Sequence, residues 1–367
     1  MGSRLNLLWP LALLPALALD HPAPLAAQFS TSSSAADEPL KTILFTAGQE
    51  GYHTFRIPAL LVTPQGSLLA FCEGRKKGSG DSGDIDLVYK RSPDGGQTWS
   101  SLQVLWDDGT NTCGNPCPVV ERQSGTLWLL LTHNLGSDTE AAIVSGKSRG
   151  SRTVWISSSR DDGRTWSPPR EITAAVKKPE WSWYATGPGV GIQLRSGRLL
   201  IPCDHKADGG KTWHLGGSTG PDSNECQAVE LSDGTILLNC RTYRSQHFRR
   251  LIARSTDGGK TFSEAVEDPA LIDPVCQASL LRISPRGDEL LFSNPASTRR
   301  QRLTVRLSPD GGQTWPHARV LHEGPAAYSC LAVLPDGTFA CLYEAGNQHP
   351  YQTLTFARFS RRWLTQP

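Results

Sequence analysis

The hydrophobic positions of this chain recur as pairs of short runs separated by a polar turn. An apolar run enters the turn, a glycine follows, and a second apolar run begins directly after it. Six segments share this pattern, and their turn glycines are Gly66, Gly125, Gly197, Gly234, Gly287 and Gly337. Short alternating runs bounded by turn residues are typical of β-hairpins, and almost no segment has helical periodicity. The pattern therefore predicts an all-β protein.

A second repeat follows most of these hairpins. The motif Ser-x-Asp-x-Gly-x-Thr-Trp begins at Ser92, Ser159 and Ser308, and a copy with Phe in place of Trp begins at Ser255. A degenerate copy ends at Trp213. Asp and Gly at this spacing favour a tight turn in which side-chain oxygens bond the local backbone. Because an alternating run precedes each complete copy, we expect a third strand before each turn and a fourth strand after it.

Six hairpins that are each extended by two further strands predict a six-bladed β-propeller. After the last hairpin, the strand at 351–360 has no turn motif behind it, so we expect residues 41–47 to supply the missing fourth strand. A single propeller domain then covers residues 39–367. The blade near residues 197–224 is expected to be shortened, either as a three-stranded blade or through a deletion, because its hairpin runs directly into the degenerate turn motif.

The first 27 residues are expected to be a signal peptide. Arg4 precedes an apolar stretch that two prolines interrupt, and small residues allow cleavage after Ala18 or Ala27. Residues 28–38 are predicted as a flexible leader, and no other segment is long and apolar enough for a membrane span. We therefore expect a secreted or periplasmic protein. A lysosomal location is less favoured because the chain has no Asn-x-Ser/Thr sequon.

Composition excludes several other kinds of protein. The 37 basic and 35 acidic residues leave a net charge of +2, which argues against a nucleic-acid-binding surface. The nine cysteines are an odd number without metal-binding spacing. We interpret them as buried small apolar residues rather than as a disulfide framework or metal ligands. No metal and no other cofactor is expected, and the protein is expected to be a monomer.

Polar residues collect at one end of the predicted strands. In an antiparallel blade, the start of the first strand, the end of the second and the loop after it share one edge, and the turn motifs lie at the opposite edge. The residues at the first edge are Arg56, Glu73, Arg75, Asp81, Asn134, Glu140, Asp204, His205, Glu225, Arg241, Arg300, Tyr343 and Glu344. Any one of them is more often a solvated loop residue. Because similar offsets in several blades carry Arg, Glu or Tyr, we predict a site for an anionic ligand.

The motif Phe55-Arg56-Ile57-Pro58 together with several turn motifs resembles the sialidase (neuraminidase) family of six-bladed propeller glycosidases. The resemblance covers nearly all of the chain after the leader. It implies that Arg56, Arg241 and Arg300 bind the carboxylate of sialic acid.

Arg300 has two neighbours, Arg299 and Arg302, that are possible alternatives for the third arginine. The family's third arginine stands three residues before the first apolar residue of its strand, which is Leu303 in this chain. The resemblance therefore favours Arg300.

The same resemblance implies the reacting groups. Tyr343 is expected to be the nucleophile, Glu225 its base and Asp81 the acid/base catalyst, while Glu73, Arg75 and Glu140 are expected to bind the substrate. The anomeric carbon of sialic acid carries a carboxylate that would repel an Asp or Glu nucleophile, and a neutral tyrosine avoids this repulsion. Asp81 would protonate the leaving oxygen and then activate water, which gives overall retention.

The sequence thus predicts a retaining exo-α-sialidase that acts on sialylated glycoproteins, gangliosides and oligosaccharides. Two alternatives are left open, a trans-sialidase and a sialoglycan-binding propeller without activity. A propeller of the second kind is expected to lack the tyrosine, the glutamate or the aspartate. A purely structural propeller has no reason to collect three arginines at one mouth.

Overall fold

A computed structural model of the chain describes residues 38–207, 217–220, 223–284 and 286–366, with the backbone alone at 205–207. The predicted signal peptide, the leader up to residue 37, the side chain of His205 and most of the degenerate turn motif that ends at Trp213 lie outside the described residues. No helix within the described part is long and apolar enough to cross a membrane.

Strands and helices are numbered in chain order. The first half of the chain contains β1 (Leu40–Thr46), β2 (Thr54–Val62), β3 (Leu68–Arg75), β4 (Ile85–Ser92), β5 (Gln103–Trp106), β6 (Thr112–Val120), β7 (Leu127–Asn134), α1 (Glu140–Val144), β8 (Thr153–Ser159), β9 (Arg170–Glu171), α2 (Thr173–Val176), β10 (Trp181–Thr186), β11 (Ile192–Gln193), β12 (Leu199–Leu200) and β13 (Cys203–Ala207). The second half contains β14 (Ser223–Glu230), β15 (Ile236–Thr242), β16 (Arg249–Ser255), β17 (Val266–Ile272), β18 (Ser279–Arg282), β19 (Leu290–Pro295), β20 (Gln301–Ser308), β21 (His317–Val333), β22 (Phe339–Ala345), β23 (Thr353–Phe359) and α3 (Arg361–Thr365).

Antiparallel pairing of consecutive strands confirms the predicted hairpins. Strands β2, β3, β4 and β5 form one sheet, strands β6 to β9 form the next, and β14 to β17 form another. A single parallel residue pair, Ile85 with Thr112, connects the first two sheets. In the predicted short blade, β10 pairs with β13 and β11 with β12. Within the described residues this blade therefore has its hairpin and no third strand.

Strand β21 covers 17 residues and belongs to two sheets. Its first half pairs with β20 and completes the sheet that begins at β18, and its second half pairs with β22 and begins the last sheet. The last sheet is completed by β23 and by β1, which pairs antiparallel with β23. The prediction of an N-terminal fourth strand is confirmed, with Leu40–Thr46 as its bounds. The all-β propeller architecture is confirmed as well, and the number of six blades stays a prediction.

Buried apolar side chains fill the space between neighbouring sheets. Phe55 and Leu60 of the first sheet pack in one cluster with Leu342 and Phe356 of the last sheet. Burial of apolar surface stabilises such contacts by about 25 cal/mol per Å². The cluster therefore ties the beginning of the described chain to its end.

The nine cysteines are all free thiols, and Cys203 is the one that is not fully buried. This confirms their interpretation as small apolar residues rather than as a disulfide framework.

Each complete turn motif is held by the same hydrogen bonds. In the first motif, the Asp94 carboxylate accepts hydrogen bonds from the hydroxyl groups of Thr98 and Ser92 at 2.6 and 2.8 Å and from the backbone N–H groups of Gln97 and Thr98. The hydroxyl and N–H of Thr98 contribute most to lowering the pKa of Asp94 to about 2. The equivalent carboxylates Asp161, Asp257 and Asp310 accept the same set.

We predict that Asp94→Ala lowers the free energy of unfolding by about 1–2 kcal/mol, because several hydrogen bonds of a local turn are lost. The folded-state pKa is lowered from 3.8 to about 2, so this stabilisation is present above pH 4 and is lost as the pH falls through 2. Urea unfolding at a series of pH values measures the difference. Gln97→Ala keeps the carboxylate and is expected to change stability by less than about 0.5 kcal/mol. Equal losses in the two variants would contradict this account of the turn.

Candidate active site

A polar cavity of about 310 Å³ lies where the first strands of several sheets begin. Its charged, amide and aromatic lining residues are Arg56, Glu73, Arg75, Asp81, Asn115, Glu140, Arg152, Trp183, Asp204, Asn224, Glu225, Arg241, Tyr243, Arg300, Tyr328 and Tyr351. The structure thus brings together eight of the nine site residues predicted from the sequence. The exception is Tyr343.

A larger cavity of about 570 Å³ lies at the opposite ends of the same strands and is lined mainly by aliphatic side chains such as Val62, Val119 and Leu280. The turn motifs lie at this second end, since Ser92 pairs with Leu68 and Leu68 pairs with Val62. The predicted site residues other than Tyr343 therefore line the smaller, polar cavity at the end opposite to the turn motifs.

The first strands bulge where they reach the polar cavity. The regular pairing with the second strand is interrupted at residues 57–58, 115–116, 224–225 and 327–328. A bulge changes the direction in which a side chain leaves the strand. Ile57 and Asn115 have φ angles of 60° and 53° in these bulges, a conformation that residues other than glycine seldom adopt. The bulges at Glu225 and Tyr328 place both of these side chains in the cavity.

Two tyrosines lie among the three predicted arginines. The Arg56 guanidinium lies 4.0 Å from the ring centroid of Tyr351 and 5.1 Å from that of Tyr328. Arg300 donates to the Tyr351 hydroxyl at 2.7 Å and lies 5.6 Å from the Tyr328 ring. Arg241 donates to the Tyr328 hydroxyl at 2.9 Å. All three guanidinium groups thus surround one side chain, Tyr328.

Glu344 lies behind the cavity with no exposed surface and holds this arrangement together. Its carboxylate accepts hydrogen bonds from Arg56 Nε at 2.9 Å and from the backbone N–H groups of Ile57 and Tyr328 at 3.0 and 3.1 Å. Burial lowers the pKa of Arg56, but Glu344, Tyr328 and Tyr351 together outweigh this effect and raise the pKa above its ordinary value. Arg56 is therefore held charged in a buried position.

The prediction that Tyr343 lies at the site is wrong. Its side chain is 1% exposed and packs in an apolar cluster with Leu303 and Trp363, away from the cavity. Successive residues of a strand point to opposite faces. Because Glu344 points toward Arg56, its neighbour Tyr343 points into the core between two sheets.

Tyr328 occupies the position that was expected for Tyr343. Its hydroxyl donates to Glu225 Oε1 at 2.5 Å and accepts from Arg241, which also donates to Glu225 Oε2 at 2.6 Å. Burial and the Glu225 carboxylate raise the pKa of Tyr328 well above its ordinary value, against the effect of Arg241 and Arg56. The tyrosine is therefore neutral at rest and bonded to a carboxylate that can accept its proton.

A sequence signal for Tyr328 exists. It stands nine residues before the turn glycine Gly337, and Glu225 stands nine residues before Gly234. The two residues thus have the same place in their hairpins. Comparison of hairpin offsets, rather than of the Leu342-Tyr343-Glu344 segment alone, identifies Tyr328.

Asp81 lies in the loop between β3 and β4, beside two arginines. Arg75 Nη2 is 2.8 Å from Asp81 Oδ1, and Arg56 Nη1 is 3.8 Å from it. Glu73 accepts hydrogen bonds from Arg75 at 2.6 and 3.0 Å and so fixes its guanidinium. Desolvation raises the pKa of Asp81, but Arg75 and Arg56 outweigh it, so this pKa lies below its ordinary value. Asp81 is still 67% exposed and accessible to a bound molecule.

The far side of the cavity contains Arg152, which the sequence analysis missed. Its guanidinium is buried, donates to Thr132, Asn134 and Asn115, and lies 4.4 Å from the Trp183 ring. The predicted residue Glu140 begins helix α1 and lines this side of the cavity. Arg152 ends the loop between the second and third strands, β7 and β8, which belongs to the edge predicted for the site, but the sequence analysis did not single this residue out.

Of the alternatives near Arg300, Arg302 lies outside the cavity. Its side chain is 52% exposed and faces Glu323 at 3.4 Å. Arg300 lines the cavity and donates to the carbonyl oxygen of Val275.

Comparison with known proteins agrees with this fold. The family model of the BNR repeat-like domain matches residues 66–341. A sialidase of Micromonospora viridifaciens is 37% identical over 363 residues, which cover 89% of this chain and 55% of that relative. An exo-alpha-sialidase of Aspergillus fumigatus is 33% identical over 399 residues, with 96% of this chain and 95% of the relative covered.

Among solved structures, the Hadza microbial sialidase Hz136 matches with a TM-score of 0.76 and 31% identity, over 87% of this chain and 68% of that chain. A leech intramolecular trans-sialidase matches with a TM-score of 0.77 at 19% identity, over 89% and 71% of the two chains, which is a likeness of fold. The propeller fold, the arginine-lined cavity and these similarities together define the class of protein, which is that of the propeller glycosidases. The chain belongs to the sialidase family of glycoside hydrolases.

We predict that Glu344→Gln lowers the free energy of unfolding by about 3 kcal/mol, because it leaves the buried charge of Arg56 without its partner. Chemical denaturation at pH 7 measures the change. Glu323→Gln is the matched control, since Glu323 is 75% exposed and pairs with the half-exposed Arg302. This control is expected to lose less than about 1 kcal/mol. Similar losses in both variants would show that Glu344 does not hold the site together.

Proposed function

We propose that this chain is a retaining exo-α-sialidase that hydrolyses terminal sialic acids of glycoproteins, gangliosides and oligosaccharides, with Tyr328 as the nucleophile. The observation that carries the proposal is the hydrogen-bonded pair of Tyr328 and Glu225 inside a cavity with three arginines. The identity to proteins named sialidases supports the same substrate class.

The arginines supply the recognition of an anionic sugar. Guanidinium groups bind carboxylates through pairs of charge-assisted hydrogen bonds. A cavity of about 310 Å³ is at the small end of ligand sites, which favours one terminal sugar over an internal segment of a glycan.

The proposed reaction has two displacement steps. In the first, the Tyr328 oxygen bonds to the anomeric carbon while its proton passes to Glu225, and the bond to the leaving oxygen breaks as Asp81 protonates that oxygen. In the second, water attacks the anomeric carbon, Asp81 takes the water proton, and the Tyr328 oxygen leaves and recovers its proton from Glu225. Two inversions give net retention.

Charge explains how Asp81 can act as an acid. In the empty cavity Arg75 and Arg56 hold the pKa of Asp81 below its ordinary value. A substrate carboxylate bound to Arg56 neutralises part of this positive charge, and the pKa of Asp81 then rises. The protonated form needed in the first step is therefore favoured when the substrate is bound.

Transfer of sialic acid to another hydroxyl group is a second candidate function. Tyr243 lines the cavity, is 61% exposed, and lies 4.6 Å from the Arg241 guanidinium. An exposed aromatic ring is a good surface for a leaving or accepting sugar. Product analysis with and without added acceptor sugar separates transfer from hydrolysis.

We predict that Tyr328→Phe lowers kcat for sialyllactose by about 10³-fold or more, because only the nucleophilic oxygen is removed. Tyr343→Phe removes the same atom from the core and is the matched control, with an expected change in kcat of less than about threefold. Release of free sialic acid and proton NMR of its first-formed anomer provide the measurement. Near-normal turnover in Tyr328→Phe, or a larger loss in Tyr343→Phe, would refute the assignment of the nucleophile.

A further inference from the structure

The loop that contains Asp81 is rich in glycine and has no apolar side chain that could fix its conformation by packing. This segment, residues 76–84, is called here the acid/base loop. It contains Gly78, Gly80 and Gly83, and a Cβ placed on any of the three would meet no other atom within 4 Å. Glycine has more conformational freedom than any other residue. The position of Asp81 must therefore be fixed by contacts from outside the loop's own backbone.

Lys76, the first residue of the acid/base loop, provides such contacts. Its ammonium nitrogen lies 3.1 Å from Asp84 Oδ1, 3.1 Å from Asp86 Oδ2 and 3.2 Å from Asp107 Oδ2. Asp84 ends the loop, Asp86 lies on β4, and Asp107 follows β5. The Lys76 N–H also donates to the carbonyl oxygen of Asp84 at 3.0 Å. One side chain thus joins the two ends of the loop to two neighbouring elements.

The carboxylates depend on this lysine for their charge balance. Asp86 is 1% exposed and also accepts a hydrogen bond from the Tyr52 hydroxyl at 2.6 Å. Three carboxylates gathered without a cation would repel one another, and more strongly where solvent is excluded. Burial lowers the pKa of Lys76, but Asp86, Asp84 and Asp107 outweigh this and raise it above its ordinary value. The ammonium form of Lys76 is therefore favoured by its three carboxylate neighbours.

Other contacts fix the middle of the loop. Arg75 donates to the carbonyl oxygen of Ser79, and the Thr112 hydroxyl bonds both the N–H and the carbonyl oxygen of Gly83. Arg75 lines the cavity, whereas Lys76 does not. An effect of Lys76 on the reaction would thus have to pass through the loop and not through contact with substrate.

We propose that Lys76 is a positioning residue that holds the ends of the acid/base loop and thereby keeps Asp81 beside the leaving oxygen. This inference rests on the proposed role of Asp81 as the acid. An acid matters most when the leaving group is a poor one. Loss of Lys76 is therefore expected to affect a sugar leaving group more than an aryl leaving group.

The test compares kcat/KM of Lys76→Met for sialyllactose, which has a poor leaving group, and for an aryl sialoside, which has a good one. We expect a loss of about tenfold for sialyllactose and about twofold or less for the aryl sialoside. Asp81→Asn provides the reference and is expected to show the same selectivity with a larger loss. Lys76→Arg keeps the charge and is expected to restore most of the activity.

Lys90→Met is the matched control. Lys90 lies on β4 in the same sheet and pairs with one carboxylate, Glu50, at 3.0 Å, without contact to the acid/base loop. It is expected to leave the ratio of the two substrates unchanged. Equal losses for both substrates in Lys76→Met would show a merely structural role, and unchanged kinetics would show that Lys76 does not act on Asp81. Either result overturns the proposal.

Hydrogen exchange of the loop amides gives a readout that does not depend on activity. Faster exchange at residues 77–84 is expected in Lys76→Met and not in Lys90→Met. Wild-type protein that released no sialic acid would refute the proposed function, while the exchange result would still decide whether Lys76 holds the loop. Unchanged exchange in Lys76→Met would contradict the inference.

Discussion

The buried carboxylate of Glu344 is the contact on which the rest of the site depends. It binds the Arg56 guanidinium and the Ile57 N–H, near the start of the described chain, and the Tyr328 N–H, near its end. Both backbone groups lie in bulges, where the regular pairing of the strands is lost. Glu344 therefore satisfies donors that the sheet leaves open and neutralises a buried cation at the same time. The meeting of the first and last sheets is what makes this possible.

Charge balance explains the remaining composition of the cavity. Three arginines around one space repel each other unless anions or polarisable groups separate them. Glu344 faces Arg56, Glu225 faces Arg241, and Arg300 donates to the Tyr351 hydroxyl. Each guanidinium is thus held in place by at least one such partner. The remaining N–H groups of the three guanidinium groups are available to a negatively charged ligand.

The sequence predicts the hairpins and the turn motifs well because their causes are local. Alternation with a period of two marks the strands, and the Asp94 network lies within seven residues of chain, Ser92 to Thr98. The N-terminal strand was also predictable, because the sequence after the last hairpin contains a third strand but no turn motif and fourth strand. The site is harder to predict because it depends on bulges, which reverse the side-chain alternation at single residues. Arg56 and Glu225 were identified although both lie beside such bulges, because the resemblance to the family points to them.

Two residues show what the sequence analysis got wrong: Tyr343 was predicted at the site and lies in the core, and Arg152 lines the cavity and was missed. Tyr343 and Glu344 are adjacent, and only the register of β22 decides which of them faces the cavity. Arg152 ends the loop between β7 and β8, and nothing in the local sequence distinguishes it from Lys147 and Arg149 of the same loop. For the tyrosine, the equal offset of Tyr328 and Glu225 from their turn glycines supplies the missing signal. For Arg152, the arrangement of the sheets around the cavity is needed, and the sequence does not contain it.

In the proposed reaction, Tyr328 forms a covalent bond with the sugar. The reagent is a sialosyl fluoride that carries a second fluorine at the carbon next to the anomeric carbon. The second fluorine slows hydrolysis of the covalent intermediate, which therefore accumulates. Peptide mapping by mass spectrometry then locates the modified residue. We expect one sugar per chain, attached to the Tyr328 side chain, and no labelling of Tyr328→Phe. Attachment to Tyr343 or to a carboxylate, or turnover with no adduct under conditions that exhaust the reagent, would contradict the proposed reaction.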